Sequence, residues 1–158
     1  MPRPDDGIPG SNGGARVPDD GPGASAQEPF SPGEAAFLDQ EPLGRLAYLD
    51  ASGAPVVVPV GFRLTSDEQG VRVIAIAGHE LRESAKYRSL ACDPRCAIVV
   101  DSSIGPSARG VLVKGFARLV DGPGRPVILI APTRISSWGI DTPAFQRQHR
   151  TLVSSPPS

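Results

Sequence analysis

The stretch Gly44–Phe62, GRLAYLDASGAPVVVPVGF, constrains this chain more than any other. A short apolar run from Gly44 to Leu49 leads into Asp50-Ala51-Ser52-Gly53, which is turn chemistry. Asp bonds its own backbone there, and Gly accepts a positive φ. Pro55 to Phe62 is then a β-branched run, suited to a pleated and largely buried surface. Pro59 interrupts it, because proline brings no N–H to a sheet ladder. A proline inside a valine run belongs at a bulge or at an open edge. The neighbouring N–H and C=O groups are then free to meet a ligand. A plain hairpin that carries its proline on the edge is the other reading.

The remaining elements fall in order around this hairpin. Residues 1–29 hold Gly, Pro, Asp and Ser with hardly an apolar residue, too little to offset chain entropy, so a disordered extension is expected. Ser31-Pro32-Gly33-Glu34 reads as a capping box opening a helix to about Gln40. After the hairpin, Thr65 to Gly70 reads as a turn and Val71 to Gly78 as a strand covered on both sides. His79 to Leu90 reads as a helix stopped by Asp93-Pro94. Further strands are expected at Arg95–Asp101, Gly110–Val120, Val127–Ile130 and Arg134–Ile140, with Gly115 marking a bulge or bend. From Thr142 the chain reads as a polar tail, so the folded domain is placed at residues 30–141 and the tail at 142–158.

Six or seven short strands with two helices suggest a mainly β protein, a small antiparallel barrel with helices at its openings. Only five Phe, two Tyr and one Trp are available, so the core is mostly Val, Ile, Leu and Ala. Such a barrel gains buried surface by pairing, and a two-fold homodimer is expected.

Charge and cysteine usage narrow the function. Sixteen Lys and Arg against seventeen Asp and Glu leave no basic excess for nucleic acid. No apolar run approaches the roughly 20 residues of a membrane span. The N-terminus has Pro, Gly and Asp where a signal peptide has an apolar core, so a cytoplasmic protein is expected. Cys92 and Cys96 have no second ligand pair for zinc and read as free thiols, Cys96 buried at a strand start. No nucleophile elbow, phosphate loop, dinucleotide fingerprint or carboxylate pair appears, which argues against a hydrolase or metalloenzyme.

One polar cluster remains. Gly78-His79 ends a strand, and Arg82, Ser84, Lys86 and Arg88 follow on the helix. A helix start favours an anion, Lys brings a point charge and Arg a planar fork for phosphate oxygens. His79, Arg82 and Lys86 share one helical face by spacing, and Ser84 and Arg88 another. A solvated amphipathic helix has the same pattern.

Taken in order, four pieces resemble the pyridoxamine-phosphate-oxidase-like flavin and deazaflavin enzymes, the split β-barrel group. GRLAYLDASGAPVVVPVGF is similar to their first hairpin, and GHELRESAKYRSLACDPRCAIVVD to their phosphate-binding strand, helix and following strand. RGVLVKGFARLV resembles the long strand after it, and IAPTRISSWGID the closing segment of the subgroup that uses coenzyme F420 and includes the dehydrotetracycline reductases.

The resemblance implies a split β-barrel homodimer with two cofactor sites at the interface. Val58, Pro59, Val60, Gly61 and Phe62 would line the tricyclic ring. Ser84, Lys86 and Arg88 would hold the phosphate, with Gly78 and His79 at the approach. Trp138 would cover the ring or the substrate, or else only cap the barrel. Tyr87 and Arg109 are weaker candidates. The implied cofactor is F420, with FMN as the alternative. The implied reaction is hydride transfer to a conjugated double bond of a bulky small-molecule substrate, with the final proton from solvent, His79 or Tyr87. An oxidase or reductase using FMN, or a flavin- or haem-binding protein without catalysis, would use the same barrel.

Overall fold

A computed structural model describes residues 28–102, 107–121 and 123–152. The expectation of disorder for residues 1–29 falls almost wholly outside these. The chain runs α1 (Pro32–Gln40), β1 (Leu43–Leu49), β2 (Pro55–Gly61), β3 (Arg63–Ser66) and β4 (Arg72–Ala77). A single 3-10 turn at Leu81–Glu83 precedes α2 (Ala85–Cys92), then β5 (Arg95–Ser102), β6 (Arg109–Val120), β7 (Val127–Trp138) and β8 (Arg147–Thr151).

All pairings are antiparallel, in the order β2-β1-β5-β6-β7-β4-β3, with β8 added to β7. The sheet stays open, with β2 and β3 as its two ends and Phe62 alone between them in the chain. Inward side chains Leu46, Ile74, Ile98, Val113, Ile128, Ile130 and Ile135 are all buried and form one core, with Phe37 and Leu38 of α1 closing it. Aliphatic residues thus dominate the interior. No described helix is long and apolar enough to cross a membrane.

Local chemistry explains the first elements. Asp50 Oδ1 accepts from the backbone N–H of Ser52 at 2.9 Å and of Ala54 at 3.0 Å, and Gly53 takes φ +81°. The turn therefore locks β1 to β2 in an unbroken register from Leu43↔Gly61 to Leu49↔Pro55. At α1, Ser31 Oγ accepts from Glu34 N–H at 3.1 Å while Glu34 accepts from Ser31 N–H at 3.0 Å, a complete capping box.

Four differences from the sequence reading have physical causes. Arg63–Ser66 is a strand rather than the lead into a turn, because it pairs with Arg72–Ala75 across the Asp67–Gly70 turn. The helix expected from His79 starts only at Ala85. Glu80 sits at φ 54°, outside helical space, and Ser84 caps the true start by accepting from Tyr87 N–H. The two strands expected at Val127–Ile130 and Arg134–Ile140 are one strand, β7, whose register against β6 shifts at Lys114/Gly115. Gly115 allows that bend, since a Cβ there would lie 2.0 Å from the Ala131 carbonyl oxygen. Finally, Arg147–Thr151, within the expected polar tail, pairs with β7 from Arg134 to Trp138.

Candidate active site at the open edge of the sheet

Pro59 lies on β2, the terminal strand of the sheet, so its missing N–H breaks no ladder. The register shows no bulge in β2, so the open edge is the alternative that the proline occupies. Strand alternation divides the five candidate residues. Val60 points into the core, 5% exposed, and Val58 packs against that core from the same face. Pro59 and Gly61 face outward and are exposed. Any contact by Val60 with a ligand is therefore through its backbone, and the apolar outer wall is Val57, Pro59 and Gly61.

Three shallow clefts surround this edge. One of about 200 Å³ is lined by Gly61, Phe62, Arg63, Ala75 and Ala77. A second, about 220 Å³, lies between the end of α1 and Phe62. The third, about 250 Å³, is lined by Pro42, Leu43, Arg45, Pro59 and Asp101 among others. The fold thus brings Gly61 and Phe62 beside the end of β4, from which Gly78 and His79 continue.

The helix cluster is only partly free. Ser84 Oγ donates to Leu81 O at 2.6 Å and accepts from Tyr87 N–H at 3.3 Å, so its hydroxyl is engaged in capping. Arg82 is paired with Asp121 at 2.5 Å. Lys86 and Arg88 have no carboxylate partner among the described residues, Lys86 half-buried and Arg88 exposed. His79 is exposed, and Tyr87 is buried in the core cluster.

Trp138 sits elsewhere. Its ring lies against Gly110, where an added Cβ would come within 2.2 Å of it, and the Arg147 guanidinium stacks 5.2 Å from its centre. Along the sheet, Gly61 pairs with Leu43, Asp101 with Gly110 and Gly110 with Trp138, and continuing the β1–β5 register past Arg45↔Val99 puts Leu43 level with Asp101. Four strand spacings, about 19 Å along the sheet, separate Trp138 from Gly61. Trp138 lines none of the three clefts at the β2 edge. Arg109, the other weak candidate, lies over the Phe37 ring at 5.5 Å.

Arg45 and Asp101 went unnoticed in the sequence, yet they pair at 2.5 Å in the cleft beside Pro59. The signal was present. Leu43, Arg45, Ala47 and Leu49 are the outward positions of β1, and Arg45 is the one charge among them.

A flat conjugated ring with a phosphate tail fits these residues. An apolar edge strand offers unpaired backbone groups, and on the helix that follows β4 lie two cations with no carboxylate partner among the described residues. Each cleft, however, is smaller than the roughly 300–1,000 Å³ of an enclosed ligand pocket. One chain alone does not enclose such a ligand.

The fold and this edge define the class: residues 31–149 match the pyridoxamine 5'-phosphate oxidase family, and the chain belongs to it. Within that family it is 36% identical over 124 residues to the 5a,11a-dehydrotetracycline/5a,11a-dehydrooxytetracycline reductase of Streptomyces rimosus, covering 72% of this chain and 85% of the relative. A conserved hypothetical protein of Mycobacterium tuberculosis shares the fold with a TM-score of 0.58 at 20% identity, covering 70% of this chain and 85% of that one. A solved F420 reductase does so with a TM-score of 0.54 at 21% identity, covering 67% of this chain and 98% of that one.

Proposed function

We propose that this protein is a cytoplasmic, homodimeric reductase that uses reduced F420 to saturate a conjugated carbon–carbon double bond in a bulky, tetracycline-like small molecule. The observation that carries this reading is the 36% identity to the S. rimosus reductase across 85% of that enzyme. The likeness in fold to an F420 reductase supports the deazaflavin.

The chain's residues suit that task. The β2 edge from Val58 to Phe62 would hold a planar ring by backbone contacts and by the outward Pro59 and Gly61. Lys86 and Arg88 would hold the phosphate, reached past Gly78 and His79, with the Ser84 hydroxyl shaping the helix start. When bound, the reduced deazaflavin supplies the hydride, and the protein's part is placement and exclusion of water.

A second copy would enclose the site. Leu43 is 59% exposed, Val57 62% and Phe116 50%, all on the outward face of β2, β1 and β6. Side chains of this kind each contribute about 1.5–3 kcal/mol when fully buried. Covering this face would deepen the clefts at Pro59 and Gly61. Trp138 would then meet a ring only across the pairing.

FMN is the alternative, favoured by the family to which the chain belongs. Side-by-side titration of the purified protein with F420, FMN and haem tests the choice. Tightest binding of F420 is expected; tighter binding of FMN or haem would overturn the deazaflavin reading.

A further inference from the structure

Arg45 and Asp101 form an ion pair among mostly apolar outward residues of β2, β1 and β5, with Lys114 and Arg95 further along the same face. Arg45 is the cross-strand partner of Pro59, and its outward neighbours include Leu43, Ala47, Val57 and Val99. The pair is held by a single contact, Arg45 Nη1 to Asp101 Oδ1 at 2.5 Å. The other guanidinium N–H groups and Asp101 Oδ2 have no partner among the described residues. Both side chains are open, 58% and 43% exposed, and both line the 250 Å³ cleft whose other walls include Pro42, Leu43 and Pro59. The cleft therefore offers free donors and a free acceptor side by side, next to the strand proposed to carry the ring. That array matches a ligand edge bearing a carbonyl oxygen beside a hydroxyl.

We infer that Arg45, oriented by Asp101, binds the carbonyl oxygen of the substrate enone and stabilises the enolate formed there. The inference rests on the reductase reading above. Hydride from the reduced deazaflavin forms a C–H bond at the enone β-carbon. The C=C π pair moves toward the α-carbon, and the carbonyl π pair moves onto oxygen. A solvent proton then adds at the α-carbon and restores the carbonyl. Substrate is reduced by two electrons and the deazaflavin is oxidised by two. Negative charge grows on the oxygen that faces Arg45, and a guanidinium fork placed there stabilises it. His79 and Tyr87 line none of the three clefts at the β2 edge.

The test uses the full chain with reduced F420 and 5a,11a-dehydrotetracycline. Arg45→Ala is expected to lower kcat about 100-fold, the scale of removing one oxyanion donor. Arg45→Lys retains part of the rate, and Asp101→Asn falls between. Affinity for F420 and the thermal midpoint stay near wild type, which separates the effect from misfolding. Turnover by Arg45→Ala within twofold of wild type would overturn the inference. Binding of 5a,11a-dehydrotetracycline to the cofactor-free protein, by fluorescence quenching, gives a readout without turnover. A tenfold weaker affinity in Arg45→Ala supports the contact even if wild type proves unable to reduce the enone, in which case the reductase reading fails alone. Equal affinity of both proteins would overturn the contact.

Discussion

Arg150, on the last strand, donates to both carboxylate oxygens of Glu34, the fully buried third residue of the first helix. Its Nη1 lies 3.0 Å from Glu34 Oε1. The same guanidinium donates from Nε and Nη2 to the Pro29 carbonyl at 2.9 and 2.7 Å. Ser137 donates to Glu34 at 2.7 Å and accepts from Gln148 at 3.0 Å. One cation thus ties the first helix, the segment entering it and β8 together. Removing one partner of a buried pair costs about 3–5 kcal/mol. Because the Arg150 side chain is 33% exposed, Glu34→Gln is expected at the lower end of that range, about 3 kcal/mol by urea unfolding.

The pH dependence follows from the same contact. Burial raises the Glu34 pKa, but hydrogen bonds from Arg150, Ser137 and the Ser31 backbone outweigh it, so the net shift is below the ordinary 4.5. A carboxylate depressed in the folded state contributes stability that is fully present above its unfolded pKa. That stability is lost as pH falls through the folded value. Wild type should therefore lose stability below about pH 4.5, and Glu34→Gln should show a flatter acid limb in the same pH series.

Much of this architecture was legible because its signals are local. The Asp50–Gly53 turn, the Ser31–Glu34 capping box and the Gly115 bend each lie within a few residues of the backbone they shape. β7 read as two strands, with Pro132 falling between them. The bend at Gly115 accommodates it instead, and the strand runs on. β8 was hidden because Arg147-Gln148-His149-Arg150-Thr151 has no apolar period, and its inward residues are polar members of the Glu34 network. That network joins positions 116 residues apart, beyond any local pattern. At the site, Pro59 announced the open edge, but alternation buries Val60; Arg45 stood out as the one charge among the outward positions of β1, while its partner Asp101 lies 56 residues away and meets it only across the β1–β5 pairing.

Thiol chemistry should separate the two cysteines. Cys92 is exposed, whereas burial pushes the Cys96 thiol up to about 12. At pH 8 one equivalent of an aromatic disulfide reagent should react quickly, at Cys92, and the second only on unfolding. Rapid reaction of both would contradict the packing of Cys96 against β6.

Gly115→Ala tests the bend. The added methyl would meet the Ala131 carbonyl, and overpacking of this kind costs about 1–3 kcal/mol. A loss in that range by thermal unfolding is expected, with no change if the register shift were unimportant.

Pairing through the outward face makes a different demand. Val57→Glu, on the exposed β2 wall, should shift the protein toward monomer in sedimentation velocity and weaken F420 binding with it. A dimer unaffected by this charge would place the interface elsewhere.

Lys86→Ala should weaken binding of intact F420 by about 1–3 kcal/mol, the scale of a charge-assisted hydrogen bond, and that of a phosphate-free fragment much less. Equal losses would put Lys86 on the solvent face.

Hydride transfer itself is tested most directly by isotope. Reduced F420 carrying deuterium at its reactive carbon is mixed with the protein and 5a,11a-dehydrotetracycline in ordinary water, and the product is analysed by mass spectrometry and NMR. The account requires one deuterium at the former enone β-carbon. Product without deuterium, or product formed as readily with FMN in place of F420, would contradict it.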